Sequence, residues 1–361
     1  MTVAVGMSGG VDSSVAARLL LDRGYRVIGL TMQVWDGSLA LPDNGRSGCY
    51  GPGEARDIEQ ARRMAAHLGI PHHTVPLTAE YKANVLDYFR REYLDGRTPN
   101  PCVMCNRRVK FGAFLDKARA MGLAFDRFAT GHYARVECDA STGRHVLLRG
   151  ADPQKDQSYF LSHLAQDQLR LLILPLGELC KDEVRRLARA AGMDEAADQP
   201  ESQDFIESDQ YDAVFEGLAV NPGPIEDAAG HVLGQHRGIV YYTVGQRKGL
   251  GLSGTSEPLY VTGIDACRNT VIVGGVNALF SDGLTAGDIN WIAVQGLTAP
   301  LRASVRIRQQ HRGASATLTP LDGGNIEIQF DEPQMAVTPG QIAVFYNGDL
   351  VLGGGTILGR A

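Results

Sequence analysis

The sequence predicts an α/β fold: a doubly wound parallel sheet, followed by a small β-rich central domain and a C-terminal β-barrel. Short apolar segments alternate with helical patterns over roughly the first 200 residues, as in parallel sheets covered by helices. A glycine-rich turn directly follows the first apolar segment, which is typical of nucleotide-binding folds. Near residue 205 the pattern changes to short β segments with glycine turns, which predicts the later domains.

The first domain, residues 1–205, contains four predicted strands, at residues 3–5, 27–32, 72–75 and 127–130. The spacing of apolar residues predicts helices at residues 15–21, 58–68, 81–93, 106–120 and 181–191. Residues 36–53 are rich in Gly, Pro, Ser and Asn, which predicts a mobile loop. Since ligands bind at the carboxyl ends of parallel strands, the loops that follow these strands are the expected pocket.

The later domains are predicted from shorter segments. In residues 206–280 we expect β segments at 231–233, 238–244 and 259–264. In residues 281–361 alternation predicts strands at 303–308, 325–330 and 342–346. Turn spacing of this kind is typical of a small β domain and of a small barrel.

Composition excludes several classes of protein. Hydrophobic residues are 44% and charged residues 21%, and no apolar stretch reaches the ~18 to 20 residues that cross a bilayer. The N-terminus leads directly into a strand without a signal-peptide pattern, so we expect a cytoplasmic protein with no membrane partner. In a reducing compartment, the six cysteines are expected to be thiols with packing, catalytic or metal-binding roles.

Residues 6–14, which we name the nucleotide loop, form the most informative segment. Gly9 and Gly10 let the backbone turn with positive φ and approach an anion closely. Unpaired N–H groups at the helix start then point at that anion. The hydroxyls of Ser8, Ser13 and Ser14 are expected to add donors, and Asp12 to hold Mg²⁺ against phosphate oxygens. A glycine-rich strand-to-helix turn with no ligand is the plainer alternative.

The loop lacks the Gly-Lys-Ser/Thr of a Walker A motif. It resembles the SGGxDS loop of ATP pyrophosphatases, the PP-loop. That resemblance implies that the loop binds the pyrophosphate half of ATP, which the enzyme splits into AMP and pyrophosphate.

A second segment carries Cys102 and Cys105 behind two prolines, Pro99 and Pro101. Cys105 is expected beside the N-terminus of the predicted helix 106–120, where the helix dipole and nearby basic residues lower a thiol pKa. A thiolate is what nucleophilic attack or sulfur transfer requires. Redox and metal sites share the Cys-X-X-Cys spacing, and a buried inert pair of cysteines stays an alternative.

Several longer segments, taken together and in order, resemble the tRNA-specific 2-thiouridylase family. They are residues 6–14, 96–101 with 105–106, 129–133, 155–161, 243–251 and 338–348. The resemblance implies a PP-loop, adenine-nucleotide α-hydrolase-like domain. It also implies 2-thiolation of the wobble uridine (U34) of tRNA: ATP adenylates the uracil O2, and sulfur from a protein persulfide displaces AMP.

The resemblance also assigns roles to individual residues. Cys105 matches the nucleophile of the family. The implied ATP contacts are Gly6, Met7, Ser8, Gly9, Gly10, Val11, Asp12, Ser13, Met32 and Gly131. The implied contacts with the target base are Asn100, Pro101 and Cys102, and those with the rest of the tRNA are His132, Lys155, Asp156, Gln157, Arg306, Ile307 and Gln341. ATP, Mg²⁺, tRNA and a sulfur source (a persulfide carrier protein or inorganic sulfide) are the implied ligands and partners.

The chain departs from the family at its second cysteine, which is expected to hold the persulfide. Alignment without gaps places Ile206 there, within the segment 201–207. One explanation is that Cys102 takes over as the catalytic partner of Cys105. Another is that Cys49, Cys102 and Cys105 ligate a [4Fe-4S] cluster with one open iron. The third is a tRNA- and ATP-binding relative that thiolates poorly.

Two basic segments support a polyanionic partner although the net charge is −6. Residues 97–119 carry six Lys or Arg against one acidic residue, and residues 302–312 carry four Arg with no acidic residue. Such patches supply phosphate contacts, although solvated charged faces have the same pattern. Another class of ATP pyrophosphatase, an amidotransferase-linked synthetase or an argininosuccinate-type ligase, would share the loop but would not need Cys102 and Cys105.

Overall fold

The computed structural model describes residues 1–43, 48–198, 205–207, 211–254 and 257–361. Part of the segment aligned with the second cysteine of the family, residues 201–204, lies outside this range. The chain divides into two compact units. The first comprises Met1–Val85, Cys102–Gln210 and Asp349–Val351 and the second Leu86–Pro101, Tyr211–Gly348 and Leu352–Ala361. No helix in the described ranges is long and apolar enough to cross a membrane.

The first unit is built on a parallel sheet. Its strands are β1 Thr2–Gly6, β2 Arg26–Gln33, β3 His72–Pro76, β4 Arg127–Ala129, β5 Ala134–Cys138, β6 His145–Arg149 and β7 Leu172–Ile173. The sheet order is β3-β2-β1-β4-β7, with all neighbours parallel, so the predicted doubly wound sheet is confirmed. β5 and β6 form an antiparallel hairpin outside this parallel sheet, which the sequence did not predict, and β6 pairs with Leu350 and Val351.

Helices cover both faces of this sheet. The α-helices of the first unit are Val11–Asp22, Glu54–His67, Thr78–Tyr81, Phe114–Ala120, Ser158–Leu161, Gln166–Leu171, Lys181–Ala190 and Asp194–Ala197, and Cys105–Ala113 is π-helical. Asp87–Leu94 is a helix of the second unit, and the short segments Lys82–Leu86 (π-helical) and Pro101–Met104 (α-helical) lie at the division between the units. On one face, Ala61 and Ala65 pack with Leu20 of the first helix and Val3 of β1. On the other face, Phe111 and Phe114 contact the ring of Phe128 in β4. Val184 packs against the side of the first helix that faces away from the sheet. The first helix is therefore buried between β1 and the helix Lys181–Ala190.

The helix that carries the two neighbouring cysteines begins earlier than predicted. Helical structure starts at Pro101 and runs through three consecutive segments to Ala120. The start predicted from the sequence is residue 106. Proline is favoured at the first helical position because its φ is already helical and it has no N–H to leave unsatisfied. Cys105 is consequently the fifth residue of the helical run and does not lie at its N-terminus.

The second unit contains a small sheet from the central part of the chain. Its strands are β8 Gly223–Glu226, β9 Val232–His236, β10 Tyr260–Asp265 and β11 Thr270–Gly274, in the order β10-β11-β8-β9. The strand predicted at 238–244 is wrong, because Ile239–Tyr241 forms a 3₁₀ turn. A short buried apolar run does not by itself distinguish a strand from a helical turn.

The C-terminal part of the second unit is a closed barrel, as predicted. Its strands are β12 Phe280–Trp291, β13 Leu301–Arg306, β14 Ala314–Pro320, β15 Ile326–Met335, β16 Ile342–Asn347 and β17 Leu350–Arg360. The order is β12-β15-β14-β13-β16-β17, and pairing of β12 with β17 closes the ring. Closure removes exposed sheet edges. Leu284, Ile328, Phe345 and Ile357 are fully buried.

Candidate active site

The nucleotide loop connects β1 to the first helix and has the backbone geometry of an anion cradle. Gly9 has φ +81°, and a Cβ there would lie 3.0 Å from the carbonyl oxygen of Asp57. Only glycine fits this conformation without strain. Gly10, where a positive φ was also expected, instead caps the helix with an extended backbone and, having no side chain, offers no acceptor to the first N–H groups. Those N–H groups are therefore suited to an anionic ligand.

The loop hydroxyls are placed differently from the expectation. The hydroxyls of Ser13 and Ser14 donate to the carbonyl oxygen of Gly10, at 3.1 and 3.0 Å. Ser13 Oγ also accepts the N–H of Ser8 at 3.3 Å. These bonds set the shape of the loop, whereas Ser8 is exposed. The hydroxyls of Ser13 and Ser14 are thus engaged within the loop, and the predicted contacts of the three hydroxyls with phosphate stay predictions.

Two other loops reach this cradle from the neighbouring strands. After β4, Gly131 lies against the first helix so closely that a Cβ would be 2.7 Å from the carbonyl carbon of Asp12. Beside β1, the Thr31 hydroxyl donates to the carbonyl oxygen of Met7 at 2.7 Å, and Met32 follows it in β2. The predicted meeting of the loops after β1, β2 and β4 is therefore present. It lies at the point where strand order reverses, between β1 and β4.

Asp12 is held by two side chains that the sequence did not single out. Lys181 Nζ lies 2.8 Å from both carboxylate oxygens, and the Tyr133 hydroxyl donates to Oδ1 at 2.7 Å. The Lys181 side chain is only 7% exposed. An ammonium group thus occupies both oxygens of Asp12 in this structure, and the role of Asp12 as a Mg²⁺ ligand stays a prediction. Mg²⁺ that enters with a nucleotide would be held chiefly by phosphate and water oxygens.

The prediction of a lowered thiol pKa at Cys105 is wrong. Cys105 is buried, and burial raises the pKa of its thiol to about 12. The charge of Lys110 and a hydrogen bond from its backbone N–H act in the opposite direction and are outweighed, while the charge of Cys49 raises the pKa further. Because the helix begins at Pro101, the dipole effect, which is confined to the first turn, does not reach Cys105 fully. Its resting form is the thiol.

The π-helical segment that begins at Cys105 is supported by side chains from the following helices. The amide of Gln168 donates to the carbonyl oxygens of Arg107 and Phe111, at 2.7 and 2.9 Å. Asn106 Nδ2 donates to the carbonyl oxygen of Phe160 at 3.1 Å. π-Helical segments are rare and are frequently found at functional sites. The residues around Cys105 are therefore fixed in position by the rest of the unit.

Comparison with known proteins identifies the family of this chain. Family models match as "tRNA methyl transferase HUP domain" over residues 1–207, "tRNA methyl transferase PRC-barrel domain" over 212–275 and "Aminomethyltransferase beta-barrel domain" over 281–357. The tRNA-specific 2-thiouridylase MnmA of Geotalea uraniireducens is 49% identical, over 98% of this chain and 94% of its own. That of Moorella thermoacetica is 47% identical, over 98% of both chains. The chain belongs to the tRNA-specific 2-thiouridylase family.

A solved 4-thiouridine synthetase–RNA complex with bound ATP is also similar, at 20% identity and a TM-score of 0.35, over 55% of this chain and 42% of its own. That score is too low to support an argument. The membership in the 2-thiouridylase family rests on the sequence relatives and the family models.

Ile206 stands where the 2-thiouridylase family is expected to carry its second cysteine, and it is buried. The N–H of Glu207 donates to the carbonyl oxygen of Tyr50 at 3.0 Å, and Glu207 Oε2 accepts the N–H of Gly53 at 2.9 Å. A Cβ on Gly48 would lie 2.8 Å from the carbonyl carbon of Ile206. The segment that carries Cys49 thus lies directly against the position of the absent cysteine.

The residues do not fit a preformed iron–sulfur cluster. Within the part of the chain that the structure describes, no three His, Cys, Asp or Glu side chains are close enough to hold a metal ion. Cys49 is exposed, Cys102 is half-buried and Cys105 is buried. The three thiols therefore do not converge on one centre in this conformation.

Residues 155–157, which family resemblance assigns to tRNA, are mostly engaged within the first unit. Buried Asp156 accepts the N–H groups of Gly150 and Ser158, at 3.2 and 3.0 Å. Gln157 exchanges hydrogen bonds with the backbone of Tyr133, each at 2.9 Å. Lys155 is half-exposed. Asp156 and Gln157 thus position the Tyr133 segment, and Lys155 is the member suited to a phosphate.

His132 lies near the cradle in the same unit. Its Nδ1 is 2.7 Å from the Thr130 hydroxyl, and its ring lies 5.8 Å from that of Phe111. Burial, together with the charge of Lys110, holds the pKa of His132 well below its usual value. The imidazole is therefore neutral near pH 7 and is suited to hydrogen bonding rather than to charge pairing with phosphate.

In the second unit, the family's other expected tRNA contacts differ in exposure. Arg306 is buried, donates to the carbonyl oxygen of Gln309 and lies 5.9 Å above the ring of Tyr346. Ile307 is buried as well. Arg302 is paired with Asp331. Among the arginines of residues 302–312, Arg308 and Arg312 line a surface groove of about 590 Å³. Asp331 and Glu332 line the same groove, and both arginines are more exposed than Arg306.

Proposed function

We propose that this chain is an ATP-dependent tRNA uridine 2-sulfurtransferase that converts the wobble uridine (U34) to 2-thiouridine, releasing AMP and pyrophosphate. The observation that carries this proposal is a PP-loop cradle and a positioned cysteine helix in one unit of a chain that is 44–49% identical to thiouridylases over its whole length. The two chemical requirements of the reaction, activation of an oxygen and delivery of sulfur, each have a matching structure.

The nucleotide half rests on the cradle. We propose ATP contacts at Gly6, Met7, Ser8, Gly9, Gly10, Val11, Asp12, Ser13, Met32 and Gly131, with Mg²⁺ bound through the phosphates. The backbone N–H groups of the loop hold the pyrophosphate part. Uracil O2 attacks the α-phosphorus, the bond to the β-phosphate bridge breaks, and pyrophosphate leaves. The uracil O2, a poor leaving group, is thereby joined to the adenylyl phosphorus, so that AMP becomes the leaving group of the next step.

The sulfur half rests on Cys105. We propose that Cys105 carries a persulfide whose terminal sulfur attacks C2, so that a C–S bond forms and AMP departs. A second thiol then attacks Cys105 Sγ, which releases 2-thiouridine and leaves a disulfide that an external dithiol reduces with two electrons. Cys102 is the first candidate for that thiol, because residues three apart lie on the same face of a helix. Cys49, whose charge acts on Cys105, is the second.

The tRNA is proposed to contact both units. The target base would meet Asn100, Pro101 and Cys102, and the rest of the tRNA His132, Lys155, Asp156, Gln157, Arg306, Ile307 and Gln341. Of these, we favour Lys155 because its side chain is half-exposed. To them we add Arg308 and Arg312, which line the surface groove of the barrel. We propose a division into residues 1–205, 206–280 and 281–361 and a cytoplasmic location with the tRNA pool. The proposed sulfur source is a persulfide carrier, whose outer sulfur the Cys105 thiolate attacks so that the carrier leaves as a thiol. Inorganic sulfide can serve instead if it attacks Cys105 Sγ in the disulfide left by the previous turnover, which forms the persulfide and releases the second thiol without a separate dithiol.

A second candidate function is a tRNA- and ATP-binding relative whose thiolation is weak or depends on an iron–sulfur cluster. It is favoured by Ile206 at the expected cysteine and by the buried, protonated state of Cys105. No step is derived through a cluster, since the thiols do not fit one as arranged.

The test is 2-thiouridine formation on unmodified tRNA, read by mass spectrometry of nucleosides, which also distinguishes thiolation from methylation. The wild type is compared with Cys105→Ser, Cys102→Ser and Cys49→Ser, and with Cys267→Ser as an exposed control. Loss in Cys105→Ser, with tRNA-dependent ATP–pyrophosphate exchange retained, supports the proposal. Full activity in Cys105→Ser contradicts it. Iron and sulfide in anaerobically purified protein would favour the second candidate.

A further inference from the structure

Lys181 occupies an unusual place for a lysine. It is the first residue of the helix Lys181–Ala190, where the helix dipole is positive and disfavours a cation. It is also buried, and its Nζ lies 5.7 Å from the centre of the Tyr133 ring. Burial of an ammonium group is costly unless an anion compensates it. An apolar side chain would be the cheaper choice if packing alone decided this position.

The compensating anion is Asp12, the acidic residue of the nucleotide loop. Lys181 Nζ contacts both of its oxygens at 2.8 Å, and the Tyr133 hydroxyl, 2.7 Å from Oδ1, completes the arrangement. Lys181 also lies 5.7 Å from the centre of the Tyr133 ring. Tyr133 is in turn fixed by Gln157. Asp12 is thus held by the charge of Lys181 and by the hydrogen bond from Tyr133, which come from two later segments of the chain.

This arrangement solves an electrostatic problem of the cradle. Asp12 is the second residue of the first helix, close to the N–H groups that would hold phosphates. An uncompensated carboxylate there would repel a polyphosphate, and the low dielectric of a half-buried site would strengthen the repulsion. An ammonium group on both oxygens cancels that charge.

We propose that Lys181 is a positioning residue of the nucleotide site, which neutralises and orients Asp12 so that the loop accepts pyrophosphate. This inference rests on the proposed function only in taking a polyphosphate as the ligand of the loop.

The experiment measures binding of inorganic pyrophosphate to the full chain by titration calorimetry, in EDTA so that Mg²⁺ is absent. Lys181→Met, which keeps the side-chain length without charge, is expected to weaken binding about tenfold or more. Lys181→Arg should retain most of it. In Lys181→Met/Asp12→Asn neither charge remains, so binding should recover toward the wild type. Lys82→Met, at an exposed lysine that also begins a helical segment, is the matched control.

Unchanged binding in folded Lys181→Met, checked by its melting curve, would overturn the proposal. So would a double variant as weak as Lys181→Met, since Lys181 would then act on the ligand directly or only on folding. In steady state, Lys181→Met should raise the KM for ATP and leave the KM for tRNA unchanged. A wild type that binds pyrophosphate but forms no 2-thiouridine would refute the proposed function and leave this inference standing.

Discussion

Gln341 holds the loop that precedes the cysteine helix: its Nε2 donates to the carbonyl oxygens of both Thr98 and Pro99, each at 3.1 Å. The neighbouring backbone strengthens this link, because the Thr98 N–H donates to the carbonyl oxygen of Pro339 at 2.8 Å. Gly340, at φ +90°, leaves no room for a Cβ against Thr98. A residue that family resemblance assigns to tRNA is thus already engaged within its own unit.

Replacing Gln341 separates these two roles. If the amide mainly fixes the loop, Gln341→Ala should lower the free energy of unfolding by about 1–2 kcal/mol through the loss of two hydrogen bonds. The tRNA affinity would fall with it, because the loop would be less ordered. The measurements are denaturant unfolding and tRNA binding on the same preparations. A fall in tRNA affinity at unchanged stability would instead show that Gln341 contacts tRNA directly.

Gly131 offers a test of the cradle that does not remove any side chain. Gly131→Ala places a Cβ within 2.8 Å of backbone and side-chain atoms of Asp12 and Ser13, so the first helix must shift. Overpacking of this kind costs roughly 1–3 kcal/mol of stability, and pyrophosphate binding should be lost with it. Gly275→Ala, where a Cβ meets nothing within 4 Å, is the control for an added methyl group. Normal pyrophosphate affinity in Gly131→Ala would exclude this loop from the site.

The arginines of the barrel should divide into structural and tRNA-binding members. Arg308→Ala and Arg312→Ala are expected to weaken tRNA binding and to reduce the slope of log affinity against log salt by about 0.7–0.9 for each phosphate that is no longer neutralised. Arg302→Ala should change the slope little, because Asp331 already pairs with it. Arg306→Ala should lower stability by roughly 2–3 kcal/mol, since it is buried and hydrogen-bonded. Equal slopes for all four variants would contradict this division.

Local pattern sufficed to predict the sheet and the nucleotide loop. The run Val3 to Val5 is buried on both sides, and the turn at Gly9 needs a residue without a Cβ, so each feature leaves a direct trace in the sequence. The same holds for the barrel, because three of its six strands are recognisable in the sequence by their alternation of apolar and polar residues. Elements with weaker periodicity, such as the hairpin of β5 and β6, were missed.

Partners that are distant in sequence could not be predicted. Lys181 and Asp12 are 169 residues apart in the sequence, and the residues around neither of them indicate that the two form an ion pair. The only trace in the sequence is a lysine at the start of the predicted helix 181–191, where a cation is unfavourable without an anion. Cys105 shows the other limit: its pKa depends on where the helix begins and on how deeply the thiol is buried, and both depend on tertiary structure.

The reactivity of Cys105 should reveal its burial. With a pKa of about 12, its thiolate fraction at pH 8 is about one in ten thousand. Iodoacetamide at that pH should therefore label exposed Cys49, Cys138, Cys180 and Cys267 well before Cys105, as read by peptide mass spectrometry. Denaturation should abolish the difference. Labelling of native Cys105 at the rate of Cys267 would show that the thiol is already open without substrate.

The same burial predicts a pH dependence of stability. The pKa of Cys105 is raised in the folded state, from 9.0 to about 12, so the protonated thiol stabilises the fold fully below pH 9 and loses this contribution as the pH rises toward 12. The difference in unfolding free energy between wild type and Cys105→Ser should therefore fall by up to about 1.4 kcal/mol per pH unit above pH 9. Cys267→Ser, at an exposed cysteine, should leave the wild-type curve unchanged. A constant difference across this range would mean that Cys105 ionises as readily in the folded chain as in the unfolded one, and a thiolate would then be available for sulfur transfer before tRNA binds.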